Sequence, residues 1–300
     1  MGSTGTNRVW MLRQFYLRRF LRIFPLYYLV IVIGALVNLP PVREEFWWLA
    51  SYLYNYRVAY LGWFHHSIAH FWSLAVEEQF YLFWPWVVLY SSRRALVWIA
   101  IVMSAVGPAS RFVLIANDVW QVAPYVITPS CLDALGFGAL LAIATGGGSA
   151  TEQQVKRLAR SALPLGLIVA VTLETLSWKY IGDLHMVAFD TALALIFTWL
   201  VAAASSGMSG PVGSFLTLRP VAYVGRIAYG VYVIHLVVAL PLFWLGKRLG
   251  LQWEFGGRTF FASVSLATLA LASLSWHLFE KPLNDLKRHF PYAPNPTRQR

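Results

Sequence analysis

Long apolar stretches constrain the fold of this chain more than any other feature of its sequence. A helix needs about 20 apolar residues to cross the ~30 Å hydrocarbon core of a bilayer. Eight stretches of this kind are each bounded by charged residues or by Gly and Pro: residues 23–39, 71–90, 95–115, 131–146, 161–177, 186–205, 221–245 and 259–279. Because a helix satisfies its own backbone hydrogen bonds in lipid, we predict an all-α integral membrane protein with about eight transmembrane helices.

The composition and the placement of charge agree with a membrane protein. Hydrophobic residues make up 58% of the 300 residues and charged residues only 12%. The net charge of +11 would suggest nucleic acid in a soluble protein, but 17 of the 24 Lys and Arg lie on one side of the membrane if the N-terminus is cytoplasmic. The positive-inside rule then predicts that both termini are cytoplasmic, and no nucleic acid partner is expected.

The chain shows no repeat of fixed period, so we predict one polytopic domain over residues 1–280 in the cell membrane, with the lipid bilayer as its surroundings. Residues 281–300 are basic and are predicted to form a disordered cytoplasmic tail. Residues 146–160 and 205–220 are predicted to be cytoplasmic linkers. The single cysteine, Cys131, cannot form an internal disulfide, and no arrangement of Cys and His resembles a structural zinc site.

The segment HFWSLAVEEQFYLFW (70–84) places two adjacent acids inside an apolar stretch. A charge at the bilayer centre costs about 2.5–3.5 kcal/mol on insertion scales and nearly always faces a bundle interior or a wet cavity. On a helix, Glu77 shares a stripe with His70, Ser73 and Tyr81, whereas Glu78 is turned away by about 100°. Glu77 is therefore a candidate for proton transfer. Alternatively, both acids lie at the outer interface, solvated or paired with arginine.

Three further segments carry candidate site residues. In YLRRFLRIFPLYY (16–28), Arg18 and Arg22 share a helical face beside Arg19; these guanidinium groups either bind phosphate or anchor the first span by the positive-inside rule. In VGRIAYGVYVIHLVV (224–238), the residues Tyr229, Tyr232 and His235 share a face, where His235 is either catalytic or a satisfied structural histidine. In SCLDALGFGALL (130–141), Asp133 heads a Gly-rich span, where it either lines a site or simply caps the helix or pairs with another side chain.

Together, and in this order, these segments resemble the membrane-bound acyltransferase family 3. Its members are polytopic O-acyltransferases that modify cell-surface polysaccharides, peptidoglycan and some antibiotics. The matching pieces span residues 16–286, and the WSLAVEEQFY match is the most specific of them: YLRRFLRIFPLYY, HFWSLAVEEQFYLFWPW, LDALGFGALLA, IAYGVYVIHLVV and FEKPLNDL.

The resemblance implies a reaction and a set of site residues. It implies transfer of an acyl group, usually acetyl, from cytoplasmic acyl-CoA as a co-substrate to a hydroxyl of a glycan or similar acceptor outside, with no tightly bound cofactor. It assigns the CoA phosphates to Arg18, Arg19 and Arg22. It places Glu77 in the catalytic site with Trp72, Ser73 and Tyr81, and it places Asp133, Tyr232 and His235 around the same cavity. Oligomeric state is not implied.

The chain departs from the family pattern at several places. It has Ser130 and Cys131 where members usually have an arginine, and Ala228 where they have a serine. Members have ten spans and open with two helices before the arginine motif, the first of which carries the histidine thought to be the base. We therefore expect those two helices to be encoded upstream, and an inert truncated subunit is an alternative to an enzyme, as is a transporter or flippase.

A substitute base is sought among the histidines of this chain. His65, His66 and His70 cluster in the loop before residue 71, and His66 and His70 have the HxxxH spacing of metal ligands without the flanking acid of a zincin helix. If the expected upstream helices are absent and the chain is active, we expect His70 or His235 to serve as the base.

The predicted topology can be tested by labelling single cysteines in intact cells, in a background without Cys131. Cysteines in the loops at Arg93 and Lys156 should be protected from impermeant reagents, and those near Arg57, Lys179 and Lys247 should react, because the basic loops stay inside. External labelling at position 156 would contradict the orientation.

Overall fold

The computed structural model describes residues 4–62, 67–119, 122–146, 149–176 and 178–292, with backbone alone for 4–7, 149–159 and 178–181. Every regular element within these ranges is helical, which confirms the all-α prediction.

The helices follow one another with short connections. In chain order they are α1 (Thr4–Leu36), α2 (Phe46–Ala50), α3 (Tyr54–Leu61), α4 (Phe71–Tyr90), α5 (Arg93–Ala116), α6 (Ala123–Val126), a 3₁₀ turn (Thr128–Cys131), α7 (Leu132–Thr145), α8 (Ser149–Thr175), α9 (Trp178–Ser205), α10 (Gly210–Leu216), α11 (Arg219–Ile234), α12 (Ala239–Arg248), α13 (Arg258–Ser275), a π-helical turn (Trp276–Glu280), α14 (Lys281–Asp285) and a 3₁₀ turn (Leu286–His289).

Several of these helices are long and apolar enough to cross a membrane. By length and composition, the described residues contain five such stretches, or six if α11 and α12 form one bent span: Arg8–Leu36, Arg93–Ala116, Thr128–Thr145, Gly182–Ser205 and Arg258–His289. Only 11–28% of their most apolar segments is buried within the protein. Exposed apolar faces of this kind suit helices that contact lipid. The chain is a multi-pass membrane protein.

Two of the eight predicted spans do not meet this measure. The stretch 71–90 coincides with α4, whose first half carries Glu77, Glu78 and Gln79 and is correspondingly less apolar. The stretch 161–177 coincides with the second half of α8, and the side chains of the first half of that helix lie outside the described residues. Both segments are helical as predicted.

The seventh predicted span, 221–245, is not one helix. Helix α11 ends at Ile234, and α12 departs from it at an angle of 74°. Pro241 explains the break because it has no N–H to donate to the carbonyl of Val237 and its ring would clash there. The His235 side chain marks the same break, since its Nδ1 lies 2.7 Å from the carbonyl oxygen of Tyr232. Side chains commonly satisfy carbonyls at helix ends in this way.

Two segments predicted to be irregular are ordered. The linker predicted at 146–160 is helical from Ser149, since TEQQVKRLAR consists largely of good helix formers. The tail predicted to be disordered from residue 281 continues as helix to His289. Arg18 fixes this segment by donating to the carbonyls of Lys287 and Phe290, at 3.0 and 3.1 Å. Residues 293–300 of the predicted tail lie outside the described residues.

Contacts divide the predicted single domain into two compact units. The first unit comprises residues 1–54, 64–71 and 218–300, and contains α1, α2 and α11 to α14. Its α1 is joined to α11 by the Tyr229 hydroxyl, which donates to the Ile23 carbonyl at 2.6 Å, and to α2 by the Tyr27 hydroxyl, which donates to the Leu49 carbonyl at 2.9 Å. The second unit comprises residues 55–63 and 72–217.

Small residues bring the helices of the second unit close together. A Cβ at Gly107 in α5 would lie 2.6 Å from Cγ of Asp133 in α7, and one at Gly136 in α7 would lie 2.8 Å from the Ala100 carbonyl oxygen. A Cβ at Gly166 in α8 would lie 2.8 Å from the Ala192 carbonyl oxygen in α9. Small residues at helix contacts are the usual solution in membranes, where close backbone approach supplies the packing energy.

The α5–α7 contact generates a stability prediction. Gly107→Ala should lower the free energy of unfolding by about 1–3 kcal/mol because the new methyl group displaces the buried Asp133 carboxylate. Gly138→Ala is the matched control, since a Cβ there meets nothing within 4 Å. Unfolding midpoints in detergent should separate the two variants, and equal midpoints would contradict the packing described for α5 and α7.

Candidate active site

A cavity of about 600 Å³ in the second unit collects five of the seven residues that the resemblance places in or around the catalytic cavity, whereas Tyr232 and His235 are not in its lining. Helix α4 supplies one wall, the 3₁₀ turn and α7 supply another, and α5, α6 and α9 each add a side chain. The predicted residues in its lining are Trp72, Ser73, Glu77, Tyr81 and Asp133; the others are Val76, Arg111, Tyr125, Ser130, Cys131, Ala134, Leu135 and Asp190.

The two adjacent acids of α4 have different environments. Glu77 is exposed and lines the cavity, with Ser73 and Tyr81 on the same face. Glu78 is buried, with 8% of its surface exposed, and is absent from the lining. The helical stripe predicted from spacing therefore exists for Ser73, Glu77 and Tyr81.

Asp133 is buried at the start of α7 and forms an ion pair with Arg111 of α5. The distance from Arg111 Nη2 to Asp133 Oδ2 is 2.5 Å, and only 1–2% of either side chain is exposed. The guanidinium also donates to the carbonyls of Ser130 at 2.5 Å and Val187 at 2.9 Å, and to the Thr191 hydroxyl at 2.6 Å. Thr191 in turn donates to Asp133 Oδ2. The ion pair is thus hydrogen-bonded throughout.

Arg111 is a site residue that sequence reasoning missed. The positive-inside count placed it among the Lys and Arg on the outer side of the membrane. In the structure it is buried within α5 and lines the cavity. A lone arginine inside an apolar stretch was the available signal, because such residues pair and mark functional regions. The departure at Ser130 and Cys131 also gains an explanation, since Arg111 places a guanidinium against Ser130 and Asp133 from a different helix.

Polar groups of the cavity outside the spans include the hydroxyl of Tyr125 in α6. Burial raises the pKa of Tyr125 above its ordinary value, and the nearby Asp190 carboxylate acts in the same direction. Tyr125 therefore remains a protonated donor at neutral pH. The cavity thus combines carboxylate acceptors with hydroxyl donors and the rings of Trp72, Tyr81 and Tyr125.

In the first unit, the structure brings together His70, Tyr232 and His235. The rings of His70 and His235 have centroids 4.6 Å apart, and those of His70 and Tyr232 are 5.2 Å apart. The Tyr232 hydroxyl donates to the backbone carbonyl of His70. Burial, and to a lesser extent His235, lower the pKa of His70 well below its ordinary value, so the imidazole in this turn before α4 stays neutral.

The hydrogen bond of His235 fixes its neutral tautomer. Its Nδ1 faces the carbonyl oxygen of Tyr232 at 2.7 Å, and only a protonated nitrogen can donate to a carbonyl. In the neutral imidazole, Nε2 then carries the lone pair. The other two histidines considered as bases or metal ligands, His65 and His66, lie outside the described residues.

The three arginines of α1 have different surroundings. Arg18 is partly buried, donates to two carbonyls near the C-terminal helices and lies 4.8 Å from the ring centroid of Tyr292. Arg19 is also partly buried, whereas Arg22 is exposed. Arg22 is therefore the guanidinium most accessible to an anion, while Arg18 has a structural contact to make.

Comparison with known proteins agrees with these features. Residues 5–277 match the family model described as the acyltransferase domain of acyltransferase family 3. The chain is 24% identical to O-acetyltransferase OatA of Staphylococcus aureus (72% of this chain, 36% of that protein) and 26% identical to the putative peptidoglycan O-acetyltransferase YrhL of Bacillus subtilis (90% and 45%). It is 22% identical to the peptidoglycan O-acetyltransferase OatA of Listeria monocytogenes (76% and 40%).

The chain spans less than half the length of these relatives. No solved structure matches it. Because the family match covers residues 5–277, the chain belongs to the membrane-bound acyltransferase family 3.

Proposed function

We propose that this protein transfers an acyl group, acetyl in the simplest case, from cytoplasmic acyl-CoA to a hydroxyl of a glycan on the outer side of the membrane. The observation that carries the proposal is the cavity that gathers Trp72, Ser73, Glu77, Tyr81 and Asp133 from α4 and α7 in a member of this family. Relatives named as O-acetyltransferases support the acetyl group and the hydroxyl acceptor.

In the proposed reaction, the acceptor hydroxyl attacks the thioester carbonyl. The new ester bond forms as the carbon–sulfur bond breaks, the acceptor oxygen loses its proton, and CoA leaves as thiolate or thiol. Such an attack needs a base within hydrogen-bond reach of the hydroxyl. Glu77 is the proposed acid–base group because its carboxylate is exposed to the cavity, whereas that of Glu78 is buried.

The histidine cluster of the first unit supplies the other candidates for a base. His235 presents Nε2 as a proton acceptor, and its tautomer is set by the carbonyl of Tyr232. His70 stays neutral, and its ring meets that of His235 edge to face. If Glu77 does not serve as the base, His235 is the next candidate, before His70, because its contact with the Tyr232 carbonyl fixes which ring nitrogen donates.

The lining of the cavity suits a sugar more than an anion. Glu77 and Asp190 provide carboxylates, whereas the one guanidinium in the lining, that of Arg111, is already paired with Asp133. Carboxylates accept hydrogen bonds from sugar hydroxyls, and the rings of Trp72 and Tyr81 offer apolar faces to the sugar. The phosphates of acyl-CoA are therefore assigned to α1, where Arg22 is exposed next to Arg18 and Arg19.

The role of Glu77 is tested by measuring acyl transfer from labelled acetyl-CoA in reconstituted vesicles. Glu77→Gln keeps the size of the side chain but removes the charge, so kcat should fall ~10²-fold or more if the carboxylate assists proton transfer. Glu78→Gln is the matched control and should change kcat much less, because Glu78 does not line the cavity. Small and equal losses of kcat in the two variants would indicate that both acids are anchors at the membrane interface. A folded wild-type chain that transfers no acyl group would indicate an inert subunit.

The role of the arginines is tested by acyl-CoA binding. Arg22→Ala should weaken binding by about tenfold, as expected for loss of a charged hydrogen bond worth ~1.5–3 kcal/mol, and Arg22→Lys should restore it only in part. Arg13→Ala is the control, because Arg13 is exposed on the same helix. Equal acyl-CoA binding by the Arg13 and Arg22 variants would indicate that these arginines serve only as membrane anchors.

Arg18→Ala should also lower thermal stability, since it removes the bonds to Lys287 and Phe290.

A further inference from the structure

Three polar side chains of the second unit form a closed hydrogen-bonded ring. The Gln79 amide donates through Nε2 to Asn55 Oδ1 at 2.9 Å. The Asn55 amide donates through Nδ2 to the Thr128 hydroxyl at 3.2 Å, and the Thr128 hydroxyl donates to Gln79 Oε1. The ring joins α3, α4 and the 3₁₀ turn, and each member both donates and accepts within it.

The direction of the ring is fixed by a backbone group. Asn55 Nδ2 also donates to the carbonyl of Val126 at 3.2 Å. If the Asn55 amide were flipped, its oxygen would face that carbonyl oxygen, and the two acceptors would repel each other. Asn55 is fully buried, so water cannot relieve this repulsion. Gln79 must therefore offer a donor to Asn55 and an acceptor to Thr128, which an amide does and an ionised carboxylate cannot.

The ring connects the two principal walls of the cavity. Gln79 lies two residues after Glu77 in α4, which forms one wall. Thr128 lies two residues before Ser130 in the turn that leads into α7 and Asp133, which form the other. Both walls are thus held to a third element, α3, by side chains that do not line the cavity themselves.

We propose that Gln79 is a positioning residue for acyl transfer, which holds α4 in the rotation that directs Glu77 into the cavity through its ring with Asn55 and Thr128. This inference rests on the proposed function for its kinetic part only. Successive side chains on a helix point about 100° apart. A modest rotation of α4 therefore moves the Glu77 carboxylate away from the cavity.

Physical arguments make the ring suitable for this role. Its three bonds are partly buried and Asn55 is fully buried, and a hydrogen bond shielded from water is stronger than one in water, while rings of bonds polarise one another. Breaking a bond to Asn55 leaves a polar group of that buried residue without a partner, and because each member both donates and accepts, the loss affects all three. The geometry of the two walls then depends on the ring as a unit.

The first experiment measures the shape of the cavity without any activity. Cys131 is the single cysteine of the chain and lines the cavity, so its rate of modification by a small methanethiosulfonate reagent reports access to it. Gln79→Ala, Gln79→Glu and Thr128→Val should each change this rate several-fold in the purified full chain. Thr128→Ser keeps the hydroxyl and should restore the wild-type rate.

The matched control for Thr128→Val is Thr198→Val. Thr198 lies in α9, is partly buried and donates only within its own helix, to the Ala194 carbonyl at 2.7 Å. This substitution makes the same change in a side chain that does not line the cavity. The labelling rate should stay at the wild-type value. If Thr198→Val and the ring variants label at the same rate, the ring does not hold the walls and the proposal is overturned.

The second experiment separates positioning from general stability. Among variants that remain folded at the assay temperature, Gln79→Ala and Gln79→Glu should lower kcat by ~10–10²-fold, as expected for a misplaced catalytic group. KM for acetyl-CoA should change by less than about twofold, because the donor phosphates bind elsewhere. Thr128→Ser should recover kcat, and Thr128→Val should not.

The outcomes distinguish this proposal from the proposed function. If the wild-type chain transfers no acyl group, the proposed function fails, while Cys131 labelling still decides whether the ring holds the cavity. If labelling changes but kcat does not, the ring shapes the cavity without positioning Glu77, and the assigned role of Gln79 is overturned.

Discussion

The second unit depends on one ion pair, between Arg111 and Asp133, placed within two membrane-spanning helices. Removing either partner of a buried pair leaves an unpaired charge, at a cost of about 3–5 kcal/mol. The intact pair is stabilised further because the turn before α7 and helix α9 both supply hydrogen-bond partners to Arg111. Gly107 follows from the same requirement, since any side chain there would collide with the Asp133 carboxylate. The pair also lines the cavity, so helix packing and cavity shape have a common origin.

In the first unit, backbone polar groups also need hydrogen-bond partners within the protein. Irregular chain at membrane depth is tolerated only where its polar groups find partners within the protein. Tyrosine hydroxyls provide such partners at the end of α2 and in the turn before α4: Tyr28 donates to the Ala50 carbonyl at 2.7 Å, Tyr27 to that of Leu49 and Tyr232 to that of His70. Tyr232 therefore has a structural bond to the backbone of His70 as well as a place beside the two imidazoles.

The sequence predicts the features that depend on local pattern. Apolar length locates the helices, and helical spacing places Ser73, Glu77 and Tyr81 on one face. The sequence did not predict features that depend on one residue whose character differs from that of its neighbours. Averaging over 20 residues hides Arg111 within an apolar stretch, and it also hides Pro241, which breaks the seventh predicted span. The order of residues 281–289 depends on Arg18, more than 260 positions earlier in the chain, and no periodicity reports such a contact.

The two adjacent acids can now be understood as one constraint with two consequences. Consecutive residues of a helix cannot share a face, so a pair of acids in α4 must divide between two environments whatever the rotation of the helix. A charged residue in the wrong environment is expensive in a membrane, yet a rotation that exchanged Glu77 and Glu78 would still leave one acid in the cavity. The acids alone therefore do not specify the rotation. A third polar residue on a further face does: Gln79 fits only opposite Asn55 and Thr128, since its amide must donate to one and accept from the other. The sequence Glu-Glu-Gln thus specifies one rotation of α4, in which the cavity receives Glu77.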